Sequence, residues 1–187
     1  MAVLDFLCNS DRRVAVAHFN HGTAQANIAQ EFVEDYCTVH DIPCVVGKIV
    51  KDKDPAESWE EYWRQERYGF LEKFSSPVVT AHHLDDVCEW WLFSSLHGKP
   101  ALIPSTYKNI IRPFLCTAKQ VFEKWCAAKA VPYFIDESNV DTRYMRNFIR
   151  HEMMQQALHV NPGLRKVLAK KILEENNEKL VNEAIAV

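Results

Sequence analysis

Short apolar runs alternate with amphipathic segments along this chain. The apolar runs are typical of buried strands and lie at 12–22, 42–50, 76–81 and 131–136, and a short extended piece lies at 109–115. Segments with apolar residues at helical spacing lie between or after them, at 25–40, 56–74, 84–96, 118–130, 144–158 and 163–183. Strands separated by helices of this length predict βαβ units, so we expect an α/β fold with a parallel sheet.

Composition narrows the class of protein. A length of 187 residues fits one domain with a short appendage, and a net charge of −3 argues against a uniformly basic nucleic-acid binder. No apolar run reaches the roughly 20 residues of a membrane span, and the first ten residues lack a secretory signal pattern. None of the six cysteines forms a C-x-x-C pair. We therefore expect reduced thiols in a cytoplasmic protein.

Polar side chains follow three of the predicted strands. The first cluster is His18, Asn20 and His21; the second is His82, His83, Asp85 and Asp86; the third covers 136–139. Parallel strands bring their carboxyl ends to one edge of the sheet, where ligands bind in open α/β folds. We therefore expect these clusters to lie together.

The segment HHLDDVCE (82–89) allows several interpretations. Asp86 and Glu89 are three residues apart and share a helix face, with His82 just before the helix. Alternatively, Asp85 or Asp86 simply caps the helix and Glu89 is a solvated charge in its first turns, where the helix dipole favours negative charge. We prefer the capping interpretation for Asp85. For His82, Asp86 and Glu89 we predict a functional site, because they lie at the edge of the sheet where a ligand is expected. A transition-metal site is the weaker alternative, and the carboxylates would equally suit Mg²⁺ with a phosphate substrate.

Arginines recur at helical spacing near the C-terminus. Arg143, Arg146 and Arg150 can present guanidinium groups to a phosphate or a carboxylate, although we expect Arg143 to pair with a neighbouring acid. On the second helix, Arg64 and Arg67 either bind phosphate or pair with nearby glutamates. A further basic segment follows the Asn-Pro-Gly break, at 165–171.

Five segments together resemble one known family in order and spacing. The chain resembles the N-terminal domain of tRNA(Ile)-lysidine synthetases, within the PP-loop (N-type) ATP pyrophosphatases, over residues 1 to about 165. The segments are VAVAHFNHG, WEEYWRQERYGFL, VVTAHHLDDVCE, IIRPFL and IDESNVDTRYMRNFIRHEM. Departures from the family pattern include Val87 and Trp90, where it usually has Gln and Thr.

The resemblance implies a fold, a reaction and a set of residue roles. It implies a flavodoxin-like, three-layer PP-loop domain at 1–160 with a helical extension at 161–187. It implies adenylation of the wobble cytidine of tRNA(Ile) with ATP and Mg²⁺, followed by attack of free lysine. Catalysis would fall to His82, Asp86 and Glu89, and nucleotide binding to His18, Asn20 and His21. The tRNA or its phosphates would contact Arg64, Arg67, Arg112, Arg146, Asn147 and Arg150.

The family's first strand and its S-G-G-x-D-S phosphate loop find no counterpart in these 187 residues, which contain five glycines. We expect the chain to be N-terminally shortened, with a partner chain or a second copy completing the sheet. The alternatives are a catalytically inactive remnant that binds tRNA or nucleotide, and, less favoured, a metal-dependent hydrolase.

Overall fold

The computed structural model describes residues 1–50 and 53–185, and all of their side chains except those of residues 137, 138 and 180–185. The strands are β1 (Val16–Asn20), β2 (Cys44–Lys48), β3 (Val78–Val79), β4 (Thr106–Tyr107) and β5 (Ile110–Ile111). The helices are α1 (Ala2–Cys8), α2 (Ala24–Val39), α3 (Trp59–Leu71), α4 (Leu84–Leu96), α5 (Lys119–Lys129), α6 (Met145–Phe148), α7 (Met154–Val160) and α8 (Leu164–Ile185). A 3-10 turn forms at Glu137–Val140, and a π-helical turn at Ile149–Met153 joins α6 to α7.

Residues 1–78 and 125–136 form the first of two compact units. Its strands β1 and β2 pair in parallel, from Val16 opposite Cys44 to Asn20 opposite Lys48. Helix α2 connects them and contacts both, which gives the predicted βαβ unit. The helix begins after β1 because the Thr23 hydroxyl caps it, accepting a hydrogen bond from the Ala26 N–H at 3.1 Å.

Strand β2 approaches the aromatic side of α3 closely at Gly47. A Cβ atom added at Gly47 would lie 2.5 Å from Cδ2 of Phe70. The same ring packs against Phe19 of β1, with 5.6 Å between ring centroids. Position 47 therefore needs a residue without a side chain, since the strand lies directly against the phenyl ring.

The second compact unit holds residues 79–124 and those from 137 onward. Its core joins α4, the helices around the π-helical turn and α8, through the buried side chains Leu84, Val87, Cys88, Leu115, Ile149, Met154, Leu164, Leu168 and Ile172. Strands β4 and β5 form an antiparallel hairpin, with Thr106 opposite Ile111. Strand β5 lies between β4 and β3.

The structure corrects one expectation about the strands, since residues 131–136 form no strand and the 3-10 turn follows them. Within residues 1–50 and 53–185, β1 and β2 form the predicted parallel pairing, and a further sheet contains the antiparallel hairpin of β4 and β5. An apolar run becomes a strand only when its backbone groups find a partner strand, and local patterning does not provide that partner. The chain is nevertheless α/β, and α8 supplies the predicted C-terminal helix.

The predicted domain boundary at 160 does not coincide with the compact units. Leu164, Leu168 and Ile172 of α8 belong to the core of the second unit. The division into 1–160 and 161–187 stays a prediction. Within residues 1–50 and 53–185, no helix is both long enough and apolar enough to cross a lipid bilayer.

All six cysteines are free thiols, as the sequence predicts. Cys37, Cys88 and Cys126 are buried. Burial raises the pKa of the Cys37 thiol to about 11 and that of Cys88 to about 12. These two thiols are therefore protonated near neutral pH and act as small apolar side chains in the packing.

Candidate active site

A capping box opens α4 and fixes the orientation of Asp86. Oδ2 of Asp86 accepts a hydrogen bond from the His83 N–H at 2.9 Å, and Nδ1 of His83 accepts one from the Asp86 N–H at 3.3 Å. This reciprocal pair satisfies two backbone donors that a helix start otherwise leaves open. Asp86 therefore caps the helix with one oxygen and keeps the other, Oδ1, for contacts beyond the helix.

Two arginines meet the predicted carboxylate pair. Arg146 donates through Nη2 to Oδ1 of Asp86 and through Nε to Oε2 of Glu89, the latter at 3.1 Å. Arg150 donates to both oxygens of Glu89, through Nε at 2.7 Å and Nη2 at 3.2 Å. The acidic and basic groups, predicted as separate features of the sequence, thus form one network of four charges.

This four-charge network is unequally exposed to solvent. Asp86 and Glu89 are 7% and 5% exposed, whereas the side chains of Arg146 and Arg150 are 52% and 29% exposed. Burial disfavours the charge on Arg150, but hydrogen bonds and charge from Glu89 outweigh it and raise the pKa of the guanidinium. The carboxylates form the inner layer of the site and the guanidinium groups cover them.

The segment R-N-F-I-R-H (146–151) presents two pairs of side chains to two different neighbours. Arg146 and Arg150 face α4. Nδ2 of Asn147 donates to the carbonyl oxygen of Asp141 at 3.0 Å, and Nε2 of His151 lies 2.8 Å from the carbonyl oxygen of Asn139. The second pair therefore holds the preceding loop. The π-helical turn begins in this segment, at Ile149, and such turns are frequent at functional sites.

Asp85 has a structural role, but not the capping role that we preferred for it, which Asp86 fulfils instead. Its Oδ1 accepts from Nε and Nη2 of Arg165 at 2.9 and 2.7 Å, and its Oδ2 accepts the Lys119 N–H at 2.9 Å. Burial opposes the charge, but these donors outweigh it and lower the pKa of the carboxyl. Arg165 therefore forms an ion pair with Asp85, and Nζ of Lys170 lies 3.5 Å from Oε1 of Glu174. These two ion pairs neutralise part of the positive charge of the predicted basic segment at 165–171.

The structure gives His82 and His83 different contacts from those that the sequence suggests. The sequence favours His82 as the partner of Asp86, but His83 makes the capping contact. Nδ1 of His82 lies 2.9 Å from Oγ1 of Thr80, and its ring is half-buried. The signal for His83 was present in the sequence, since a polar N-cap residue three positions before an acid is the pattern of a capping box.

In the first unit, Asn20 is committed to local structure. Its Nδ2 donates to Oδ1 of Asn27 at 2.9 Å and to Oε1 of Gln30 at 2.8 Å, and its Oδ1 accepts the Gly22 N–H at 2.7 Å. The side chain is 2% exposed. Asn20 therefore ties the end of β1 to α2.

His18 and His21, on either side of Asn20, keep ring nitrogens for other contacts. Nε2 of His18, Nδ1 of His21 and Nε1 of Trp63 are buried without a hydrogen-bond partner among the described residues. The His21 and Trp63 rings lie 5.8 Å apart. Burial, Arg67 and His18 together lower the pKa of His21 to about 4, so its ring is neutral near neutral pH. Three unsatisfied polar atoms in one unit suit a polar ligand.

The remaining predicted phosphate contacts differ in exposure. The guanidinium carbons of Arg64 and Arg67 lie 4.7 and 5.6 Å from the ring centroid of Tyr68, and Arg64 is exposed. Arg112 is 3% exposed, and its Nη1 donates to the carbonyl oxygen of Pro104 at 2.8 Å. This burial argues against direct contact of Arg112 with a phosphate. Exposed Arg143 pairs with Asp141 at 2.7 Å, as expected from its sequence neighbours.

The described side chains do not favour the metal-dependent alternative. Among them, no group of three or more His, Cys, Asp or Glu residues is arranged to hold a metal ion. The Asp86 and Glu89 carboxylates contact guanidinium groups instead. The convergence of the three strand-end clusters at one edge stays a prediction, and the side chains of Glu137 and Ser138 in the third cluster lie outside the described part of the chain.

Comparison with known proteins identifies the family. The model of the PP-loop domain matches residues 1–157. The tRNA(Ile)-lysidine synthase of Thermotoga sp. (strain RQ2) is 31% identical over 163 residues, which cover 80% of this chain and 39% of that protein. The synthase of Lactiplantibacillus plantarum is 31% identical over 171 residues, covering 84% of this chain and 38% of that protein.

The synthase of Staphylococcus aureus (strain COL) is 30% identical over 162 residues, covering 78% of this chain and 38% of that protein. The chain thus spans less than two-fifths of the length of these curated relatives. The resemblance carried by the sequence motifs is confirmed, because the PP-loop domain model matches residues 1–157 and these synthases are 30–31% identical over 78–84% of the chain. The chain belongs to the PP-loop domain family.

Proposed function

We propose that the chain carries the reaction centre of a tRNA(Ile)-lysidine synthase. In this reaction ATP adenylates O2 of the wobble cytidine and releases pyrophosphate, and the amine of free lysine then displaces AMP at C2. The observation that carries the proposal is the four-charge network of Asp86, Glu89, Arg146 and Arg150. In this network, carboxylates that suit a cationic amine lie in contact with guanidinium groups that suit a phosphate.

The carboxylates suit the lysine step. Lysine attacks only as a neutral amine, so a nearby base must accept a proton from its ammonium form. Asp86 and Glu89 attract the ammonium group and orient it, and one of them accepts the proton. We assign His82 to the same acid–base step, because its half-buried ring lies just before α4. The Thr80 contact to its Nδ1 would fix the ring orientation.

The guanidinium groups suit the phosphate that leaves in each step. Arg146 and Arg150 offer N–H donors in a planar fork, the geometry that matches phosphate oxygens. Negative charge grows on the leaving phosphate in the transition state, and nearby fixed positive charge stabilises it. Asn147 contributes indirectly, since it holds the loop at Asp141 beside these arginines.

For the nucleotide we propose His18 and His21 as direct contacts. Their unsatisfied ring nitrogens fit the polar edge of a nucleotide, and a neutral His21 can accept a hydrogen bond through Nδ1. We assign Asn20 a positioning role, because both of its N–H donors are used within the unit. Mg²⁺ would enter with ATP as its phosphate complex.

For the tRNA backbone we propose Arg64 and Arg67 of α3. Arg64 is exposed, and the Tyr68 ring beneath both guanidinium groups limits their conformational freedom. Guanidinium groups that are held in place lose less entropy when they bind phosphate. Replacing both with Ala should weaken tRNA binding and reduce its dependence on salt concentration.

The reaction can be tested by lysine incorporation. The 187-residue chain, and the same chain preceded by a strand and an S-G-G-x-D-S loop, are each incubated with tRNA(Ile), ATP, Mg²⁺ and radiolabelled lysine. We expect incorporation by the extended chain and no ATP–pyrophosphate exchange by the 187-residue chain, because no S-G-G-x-D-S loop occurs in its sequence to cradle the phosphates.

The carboxylates are tested in the extended chain. Asp86→Asn and Glu89→Gln should each abolish incorporation, and Arg143→Ala, which changes an exposed arginine outside the network, should not. Full incorporation by both carboxylate variants would contradict the proposal. Exchange by the unextended chain would mean that the nucleotide site lies elsewhere.

A further inference from the structure

The carboxylates proposed to receive an amine are already covered by positive charge. Arg146 donates one hydrogen bond to Asp86 and one to Glu89, and Arg150 donates two hydrogen bonds to Glu89. Two carboxylates and two guanidinium groups give the network no net charge. An arriving ammonium group would meet a neutral site whose best acceptor oxygens are occupied, so the observed arrangement is closed to the amine.

The two arginines are not equivalent within this network. Arg150 is mostly buried, and both of its hydrogen bonds go to one carboxylate, Glu89. Arg146 is half exposed and divides its donors between two carboxylates. About half of its side-chain surface therefore faces solvent, where a dissolved anion reaches it. Arg146 is the member that can exchange partners while Arg150 keeps Glu89 in place.

We propose that Arg146 is an exchangeable guanidinium that couples the binding of a phosphate-type anion to the binding of a cationic amine. In the free protein, the ion pair with Arg146 keeps the amine from binding Oδ1 of Asp86. When a phosphate or pyrophosphate group binds the guanidinium of Arg146, Oδ1 of Asp86 loses its hydrogen-bonded cation, with only Nη2 of Arg150 left at 3.9 Å, and accepts the amine instead. The identification of that amine as lysine rests on the proposed function.

The charge balance supports this order of events. With Arg146 drawn to the anion, Asp86, Glu89 and Arg150 carry one net negative charge, which matches a single ammonium group. The buried carboxylate of Asp86 then keeps the His83 N–H on Oδ2 and Nη2 of Arg150 at 3.9 Å from Oδ1, but Oδ1 has lost its hydrogen-bonded cation. Loss of that cation from a buried carboxylate favours the binding of an ammonium group in its place. The amine would thus be admitted only after the phosphate-bearing substrate is present.

The exchange is tested first without any amine. Pyrophosphate binding to the 187-residue chain is measured by calorimetry, with Asp86→Asn as the test variant. Asparagine still accepts the capping hydrogen bond from the His83 N–H but no longer holds Arg146 by charge. We expect pyrophosphate to bind about 5- to 100-fold more tightly to this variant, the usual range of such couplings. Unchanged or weaker binding by a folded variant would overturn the exchange.

The second measurement adds lysine. In the wild-type chain, saturating pyrophosphate should raise lysine affinity about 5- to 100-fold, and saturating lysine should raise pyrophosphate affinity by the same factor. In Arg146→Ala, lysine should bind tightly without pyrophosphate, and pyrophosphate should add nothing. Arg143→Ala, which removes an exposed arginine paired with Asp141, is the matched control and should keep the wild-type coupling.

The outcomes separate the two proposals. If lysine binds equally well with and without pyrophosphate, the coupling at Arg146 is wrong while the proposed function stands. If Asp86→Asn tightens pyrophosphate binding but no variant binds lysine, the exchange at Arg146 stands and lysine is the wrong amine. If Arg146→Ala weakens lysine binding, Arg146 holds the amine substrate directly and the exchange is overturned.

Discussion

Asp85 and Arg165 lie 80 residues apart in the chain, yet both Nε and Nη2 of Arg165 donate to the same oxygen, Oδ1 of Asp85, at 2.9 and 2.7 Å. The second oxygen of Asp85 accepts the Lys119 N–H at the start of α5. One carboxylate thus joins the first turn of α4 to α8 and α5. It is next to Asp86 in sequence, but its partners give it a structural role.

We expect Asp85→Asn to lower the free energy of unfolding by about 1–3 kcal/mol, because it removes a charge-assisted hydrogen bond from a mostly buried group. Urea denaturation at pH 7 measures this. Asp141→Asn, which affects the exposed Arg143 pair, is the control and should leave the urea midpoint nearly unchanged. Equal effects of the two substitutions would contradict the structural role of Asp85.

The same pair predicts a pH dependence. Since the pKa of Asp85 is lowered from 3.8 in the folded state, its contribution is present above that value and is lost as pH falls through the lower folded pKa. The difference in stability between wild type and Asp85→Asn should therefore be constant near neutral pH and shrink below about pH 4. Urea midpoints measured for both proteins between pH 3 and 7 test this, and a constant difference across the range would disprove it.

Glu89 and Arg150 should be strongly coupled in stability. Removing Arg150 leaves buried Glu89 with Arg146 alone, and removing the charge of Glu89 leaves Arg150 with Asp86 at 3.9 Å. Glu89→Gln and Arg150→Met should therefore each destabilise the fold by about 1–3 kcal/mol, because each removes two charge-assisted hydrogen bonds. The double variant should be less destabilised than the sum of the two, by about 0.5–3 kcal/mol. A double-mutant cycle by urea denaturation measures this, and simple additivity would show that the pair contributes nothing.

His21 should make the fold sensitive to mild acid. Its pKa is about 4 in the fold and 6.5 ordinarily, so between these values the unfolded chain binds more protons. Stability should therefore fall as pH decreases from 6.5 to 4. His21→Phe, measured by urea denaturation across this range, should show a smaller decrease than wild type. His159→Gln, on an exposed position of α7, is the control. Parallel profiles for wild type and His21→Phe would argue against a buried neutral ring.

Gly47→Ala should destabilise the first unit by about 1–3 kcal/mol, because the added methyl group meets the Phe70 ring at 2.5 Å. Phe70→Leu should cost stability by itself but reduce the additional cost of Gly47→Ala. Thermal or urea denaturation of the two single variants and the double variant measures this. Gly69→Ala is a suitable control, since a Cβ there meets no atom within 4 Å. Destabilisation of equal size at both glycines would point to backbone effects instead of the ring contact.

The sequence by itself determined the elements whose signals are local. Helix α4 begins and ends at the predicted residues, Leu84 and Leu96, because the polar residues before it cap the helix and its apolar residues recur at helical spacing. The parallel pair of β1 and β2 follows from two apolar runs separated by one amphipathic helix. The shared face of Asp86 and Glu89 follows from their spacing of three, and the family follows from motifs that lie along the chain.

The tertiary structure alone decided which of these groups meet. Arg146 and Arg150 reach Asp86 and Glu89 across 57 to 61 residues of sequence, and only the packing of α4 against the π-helical turn brings them together. In the folded chain, residues 131–136 form no strand, and β5 pairs with β4 in antiparallel orientation. The local sequence pattern predicts neither result. Periodicity records which face of an element is apolar, but the partner of that face depends on how the whole chain folds. That is why the sequence predicted an acid–base site and a phosphate site, and the structure joined them into one network.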